Sequence, residues 1–550
     1  MRVCKDQGIP MKSITATALS LVLLMAAPGA VWAQTAGSTA ETRIRADVAF
    51  LADDALEGRG NGQRGYDMAA LYVQTRMEAL GLRPGVDGSW RQSVTVGRAG
   101  IAPEGATLTW TPAGGQPVVW THGQQGMFGI GRAAGRQQVS AELVFVGFGL
   151  SVPGADDYAG LDVDGKIVVY LSGVPAGTPA DQAQALEAGK ARMAEAKGAI
   201  GAITVNTTAS AARYTDAMLQ RAAGRTESTW VGPDGLSRSR APGIQVTTFL
   251  NDAAAEALFQ GATRTYADIR AEAAAGRPAG FALAGQAAFD VHTRRDDIRG
   301  DNVIGMIEGT DPALKDEYVI LTAHLDHLGL ATTGEDRINN GALDNAGGVA
   351  TMLEAAGSLA ANPPRRSVLV VALAAEEWGL IGSDYLARHP VVETVVANVN
   401  LDMPILTYEF SDVVAFGAEH SSMGPLVAAA AQTEGLTLSP DPMPEQNVFV
   451  RSDHYSFVQA GVPSVMLATG YANGGEAAWG AFFANGYHQP NDDLSGEFNW
   501  QAAAKFARVN AAIARGIADA DQRPLWYQGN SYGDRFAPDA ARAPAPAVAQ

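Results

Sequence analysis

Five clusters of acidic and imidazole side chains stand beside short apolar runs. Tyr318–Ala323 leads into His324-Leu325-Asp326-His327, Ser367–Leu373 into Ala374-Ala375-Glu376-Glu377-Trp378-Gly379, and Val395–Leu401 ends at Asp402. Leu343-Asp344-Asn345-Ala346-Gly347-Gly348 precedes a helical stretch, and a glycine-rich loop after Val462–Leu467 leads to Tyr487-His488-Gln489-Pro490-Asn491-Asp492. His, Asp and Glu without Cys suit a borderline cation such as zinc in a hydrolytic rather than a structural site. His324 and Asp326, two apart, point the same way in an extended chain, so one can ligate while the other fixes the imidazole tautomer from behind. Adjacent Glu376 and Glu377 cannot both point one way on a strand. They invite one ligand and one free general base, which amide hydrolysis needs beside a metal-bound water. Three ligating carboxylates (Asp344, Glu377, Asp402) set −3 against the +4 of two zinc ions. A hydroxide shared between the ions would cancel the remainder and act as nucleophile, whereas one ion would leave an excess of negative charge and raise carboxylate pKa values.

The elements that must position these groups read as α/β. Apolar runs at Asn302–Ile307, Tyr318–Ala323, Ser367–Leu373, Val395–Leu401 and Val462–Leu467 alternate with helical stretches such as Gly347–Ala361 and Gly424–Gly435. That alternation predicts a mixed, largely parallel sheet sandwiched by helices, with the polar clusters at the carboxyl ends of its strands, where open α/β sheets bind ligands. Glu41–Leu82 is helical in pattern and is interrupted by Glu57-Gly58-Arg59-Gly60-Asn61-Gly62, read as a flexible connection rather than a phosphate cradle. From 105 to 285 the texture changes to short strands amid Gly, Pro and Ala: Ala141–Gly147, Lys166–Leu171 and Ile200–Val205, with a helix at Gln182–Lys197. This region is expected to be an inserted, smaller β-rich domain, with His122 structural. The remaining division is 1–33 signal peptide, 34–104 N-terminal part of the catalytic domain, 286–525 its main part, and 526–550 a polar, Ala/Pro-rich tail expected to be disordered.

The motifs H-L-D-H, L-D-N-A-G-G, A-E-E-W-G-L-I-G-S, N-L-D-M and Y-H-Q-P-N-D resemble the co-catalytic di-zinc aminopeptidase family, which includes bacterial leucyl aminopeptidases and glutamate carboxypeptidase. The resemblance covers roughly Asp301–Asp492, and Arg45–Leu82 is similar to the family's N-terminal helices. It implies that His324 and Asp402 hold one zinc and Glu377 and His488 the other, with Asp344 bridging. It also implies Glu376 as general base, Asp326 as the outer partner of His324, and a cis bond at Asp344–Asn345. The inserted segment resembles a protease-associated (PA) domain. The implied activity removes N-terminal residues from peptides with a free N-terminus. Carboxypeptidase or dipeptidase action on the same metal core, with Arg451 holding a substrate carboxylate, is the alternative. A single-zinc glutaminyl cyclase-like acyl transfer and a non-catalytic binding module are also open. His327 is left undecided, Asp453 and His454 are assigned to the substrate cleft without a ligand role, and His389 and His420 are read as surface residues.

Length and composition set the outer bounds. The chain has 550 residues, 47% hydrophobic and 18% charged, and carries −18, which disfavours nucleic acid or an anionic membrane as partner. A single cysteine, Cys4, excludes a disulfide framework and a thiolate metal site. Lys12, the apolar run Leu19–Ala27 and Val31-Trp32-Ala33 read as a secretory signal peptide, too short to span a bilayer. The mature protein is thus expected to be exported, periplasmic or secreted, with no stable membrane insertion. Gly529-Asn530-Ser531-Tyr532-Gly533 fits the serine-hydrolase elbow, but it lies in the tail and no histidine follows His488.

Overall fold

Strand Ser367–Leu373 is buried at every residue, and its alternation explains the architecture. Val368, Val370 and Ala372 face one apolar cluster, whereas Leu369, Val371 and Leu373 face another, so both faces of the sheet are covered. The computed structural model describes residues 39–178 and 180–546. The proposed signal peptide lies outside them.

Strand Glu317–His324 pairs in parallel with Ser367–Leu373 and Thr394–Leu401, which in turn pairs in parallel with Ser464–Thr469. Asp412–Phe416 and the end of Phe281–Ile307 add antiparallel neighbours, so the sheet is mixed and largely parallel at its centre. Helices Ala40–Leu51, Gly348–Ala361 and Trp500–Ala518 pack on one face, and Ile381–Arg388 and His454–Gln459 on the other. The parallel strands share a direction, which brings their carboxyl ends, and the polar clusters after them, to one rim.

Two long strands, Arg91–Pro112 and Phe281–Ile307, run antiparallel from Val303 opposite Arg91 to Gly285 opposite Pro112. At one end Val94, Val96 and Val303 belong to the main core, and at the other Ala106, Leu108 and Phe289 belong to a second core with Phe145, Ile203 and Phe259. The inserted β-rich region, including the parallel strands Ile167–Leu171 and Gly201–Val205, is therefore built around its own apolar centre. His122 is structural there: its Nδ1 accepts from the Phe128 N–H and its Nε2 bonds the Ala223 carbonyl.

Two sequence expectations are corrected. The loop Glu57–Gly62 is not a flexible connection. Arg59 is buried and donates to the carbonyls of Leu51, Leu325, Asn340 and Gly341, which ties the loop to the rim. Gly58 sits at φ +70° with the Asn339 carbonyl 2.4 Å from where a Cβ would stand, so no side chain fits. The tail is not disordered over its described residues. Trp526 and Tyr527 are buried, the Trp526 indole donates to the Gly461 carbonyl, and Ser531–Phe536 is a short helix. Ser531 opens that helix rather than following a strand, which removes the serine-elbow reading. His420 is half-buried between Phe449 and Tyr532, while His389 is exposed.

Candidate metal centre

The rim brings together all seven residues singled out above. His324 ends its strand, and its Nε2 lies 3.0 Å from Asp402 Oδ1 and 3.1 Å from Asp344 Oδ1. The other Asp344 oxygen, Oδ2, lies 3.5 Å from His488 Nε2, which is 3.1 Å from Glu377 Oε2. Asp344 thus turns one oxygen to each histidine. Ligands at ~2.0–2.1 Å around a tetrahedral zinc stand roughly 3.3 Å apart. Both groups have that spacing, and the donors are nitrogen and carboxylate oxygen, as a zinc site requires. The residues present fit two such ions. The Asp344–Asn345 peptide is cis.

Asp326 differs from the expected arrangement. His324 Nδ1 bonds the main-chain carbonyl of Asp326 at 3.0 Å, with the carboxylate 4.0 Å away. The carboxylate instead accepts from the N–H groups of Glu376 and Glu377 and from the Asn61 side chain. One residue therefore orients the histidine by its backbone and the two glutamates by its side chain. Ala375, at φ +54°, turns the chain ahead of Glu376, and Asn61 accepts its N–H.

Several supporting groups had no role assigned from sequence. Asp492 accepts from the N–H groups of Leu343 and Asp344 at 2.8 and 2.9 Å, which fixes the main chain that carries the Asp344 carboxylate. It closes the Y-H-Q-P-N-D motif, and that position was the available signal. Ser452 donates to Asp402 and accepts from Asn400, which in turn accepts from Thr322. His327, undecided from sequence, is buried with Nδ1 2.6 Å from Glu377 Oε1. That separation is a hydrogen bond, too short for two ligands of one ion, so His327 stands behind Glu377 as a donor.

Burial is the largest influence on most of these groups. It raises Glu376 well above the ordinary carboxylate range, with Asp402, Asp453 and Glu377 adding to it against His324. Burial raises Asp492 to about 6 and Asp453 to about 7. For His488 burial works downward, but hydrogen bonds to Asp344 and Glu377 outweigh it and raise the imidazole to about 10. His324 is raised too, by Asp402, Glu376 and Asp344 against burial. Beside the cluster, a cavity of about 70 Å³ is lined by Met403, Val414, Phe416, Met466, Trp479 and Phe483, with Arg451 also on its wall. Asp453 and His454, expected to line the cleft, are fully buried and are not on its wall.

Residues 302–514 match Peptidase family M28, and residues 139–244 match the PA domain. The segment that matches family M28 holds every member of the rim cluster except the supports Asn61 and Arg59, which come from the N-terminal segment. The PA domain lies within the inserted region. Among curated proteins, the chain is 31% identical over 139 residues to the mouse (Mus musculus) aminopeptidase NAALADL1, covering 23% of this chain and 17% of that protein. It is 36% identical over 106 residues to a vacuolar membrane protease of Schizosaccharomyces pombe, covering 19% and 11%. The matched stretches thus span less than a fifth of either relative. Among solved structures, an aminopeptidase from Aneurinibacillus sp. strain AM-1 aligns over 86% of this chain and 93% of its own, at 21% identity and a TM-score of 0.44.

Proposed function

We propose that the protein is an exported di-zinc aminopeptidase that removes N-terminal residues from peptides. The observation that carries this reading is the divided Asp344 carboxylate, one oxygen against His324 and the other against His488. His324 and Asp402 would hold one zinc, and Glu377 and His488 the other, with Asp344 shared. When bound, zinc supplies Lewis-acid polarisation of the scissile carbonyl and acidifies water at neutral pH.

The chain's own groups do the rest. Glu376 lies within ligand range of His324 and Glu377 yet is free of their pairings, so its carboxylate can take the proton of an attacking water and hand it to the leaving amine. Asp326 holds the main chain of both glutamates, and so fixes the base relative to the ligand. The cavity beside them is small and apolar, which suits one side chain of a terminal residue rather than a length of peptide. The surrounding carboxylates favour the ammonium of a free N-terminus.

Arg451 on the same wall supports a second reading, carboxypeptidase or dipeptidase action, in which it holds a substrate carboxylate. An aminoacyl chromogenic amide assayed beside an N-blocked peptide separates the two. Cleavage of the amide alone supports the aminopeptidase, and cleavage of only the blocked peptide defeats it. Two zinc ions per chain by metal analysis are expected, and one tightly held ion with no second site would point instead to glutaminyl cyclisation. No helix among the described residues is long and apolar enough to cross a membrane. Export rests on the sequence of residues 12–33, and the N-terminal sequence of the mature protein tests it.

A further inference from the structure

Away from the metal centre, arginine gathers on the inserted region in a chain that carries −18 overall. We infer that the cavity lined by Arg132, Arg192, Arg238 and Arg240 is a binding site for a small oxyanion, a phosphate or a carboxylate compound. Its volume is about 310 Å³, and Glu227 is the one carboxylate on its wall. The hydroxyl residues Ser228, Thr229, Ser237 and Ser239 line it as well. Guanidinium forks and hydroxyls are the donors that oxyanions take, and the space suits a ligand of a few heavy atoms rather than a single water. A neighbouring cavity of about 160 Å³ shares Ser228, Thr229, Arg238 and Arg240 and reaches Gly379, Leu380 and Asp384, just beyond Glu376-Glu377.

The arginines are not used up by the fold. Arg132 spends its Nε on the Ser237 carbonyl, and Arg238 lies over the Trp230 ring with its Nε 3.8 Å from Asp384. Asp384 is itself engaged by the Trp230 indole and by Arg388. Arg192 and Arg240 make no hydrogen bond or ion pair to any carboxylate among the described residues. The crowding is felt electrostatically: Arg238 is lowered by burial and then by Arg388, Arg240 and Arg132, and Arg192 by burial and then by Arg535, Arg240 and Arg388. Like charges gathered on one wall repel one another, and a bound anion relieves that repulsion.

The test uses the full zinc-loaded chain, titrated calorimetrically with inorganic phosphate and with succinate. Saturable binding by either supports the site, and which of the two binds better identifies the oxyanion. The double variant Arg192→Glu/Arg240→Glu should weaken binding at least about tenfold while zinc content and circular dichroism stay unchanged. Arg192→Gln/Arg240→Gln should fall between, and added salt should weaken the wild type. No saturable binding by either anion, or binding that the double variant leaves unaltered, as it would be if the anion sat on the metal centre, overturns the proposal.

Discussion

Glu376 and Glu377 are neighbours in sequence but opposites in environment. Glu377 is paired with both His327 and His488, which lowers its pKa against burial, whereas Glu376 lacks such partners and is raised. Two carboxylates pushed apart in this way take different tasks. Glu376→Gln should lower kcat by about 10²–10⁴-fold with zinc content intact, and unchanged turnover in that variant would remove the proposed base. The proton-accepting form is the carboxylate, and burial raises its pKa. The acid limb of kcat/KM should therefore lie above the ordinary glutamate value of about 4.3, with activity lost as pH falls through it. His327 acts one step back, donating to the Glu377 oxygen that faces away from His488. His327→Ala should weaken binding at one of the two proposed zinc sites by about 10–100-fold and leave the other in place, with His327→Gln, which keeps a donor, between them. Equilibrium dialysis of zinc reads this without any assay of activity, and equal loss of both ions would assign His327 a merely structural part.

At the level of elements, the strands were the most legible feature. Ser367–Leu373 is legible because a strand buried on both faces is a continuous apolar run, here between Arg366 and the two alanines ahead of Glu376. Residues that act by side chain at the strand ends were equally visible, since His324, the pair Glu376-Glu377 and Asp402 each break such a run. What was hidden acts through the main chain. Arg59 holds four carbonyls, Asp492 two N–H groups and Asp326 the two glutamate N–H groups, and a sequence does not display which backbone atoms will lack partners. Glycine on both sides of Arg59 suggested flexibility, when its use is close approach to Gly329 and Asn339. The tail was misread for a related reason. Its Ala/Pro composition outweighed its four aromatics, yet Trp526 is 2% exposed and packs against Gly533. Trp526→Ala should cost about 3 kcal/mol, read by urea unfolding, and should expose the 526–546 segment to hydrogen exchange. An effect within about 0.5 kcal/mol would return the tail to the disordered reading.

For the whole molecule, stability and metal binding are a single equilibrium. The chain has no disulfide available, and at the rim it concentrates Asp344, Glu376, Glu377, Asp402 and Asp326, offset by imidazolium and by the buried Arg59 guanidinium. In the metal-free chain His488 is raised to about 10 and His324 is raised as well. A histidine raised on folding contributes stability that is fully present below its ordinary pKa of about 6.5 and is lost as pH rises through the folded value. The metal-free fold is thus held in part by protons that zinc must displace. Adding zinc at neutral pH should release about two protons per chain, measurable with a weakly buffered indicator, and the apparent affinity should climb with pH. Each ion at a hundredfold excess over its dissociation constant adds about 2.7 kcal/mol, so the melting temperature should rise in two resolvable increments and fall back on chelation. Zinc binding with no proton release would mean that the imidazoles are already neutral and the carboxylates carry their charge unbalanced. A melting temperature indifferent to chelator would mean that the rim is no metal centre.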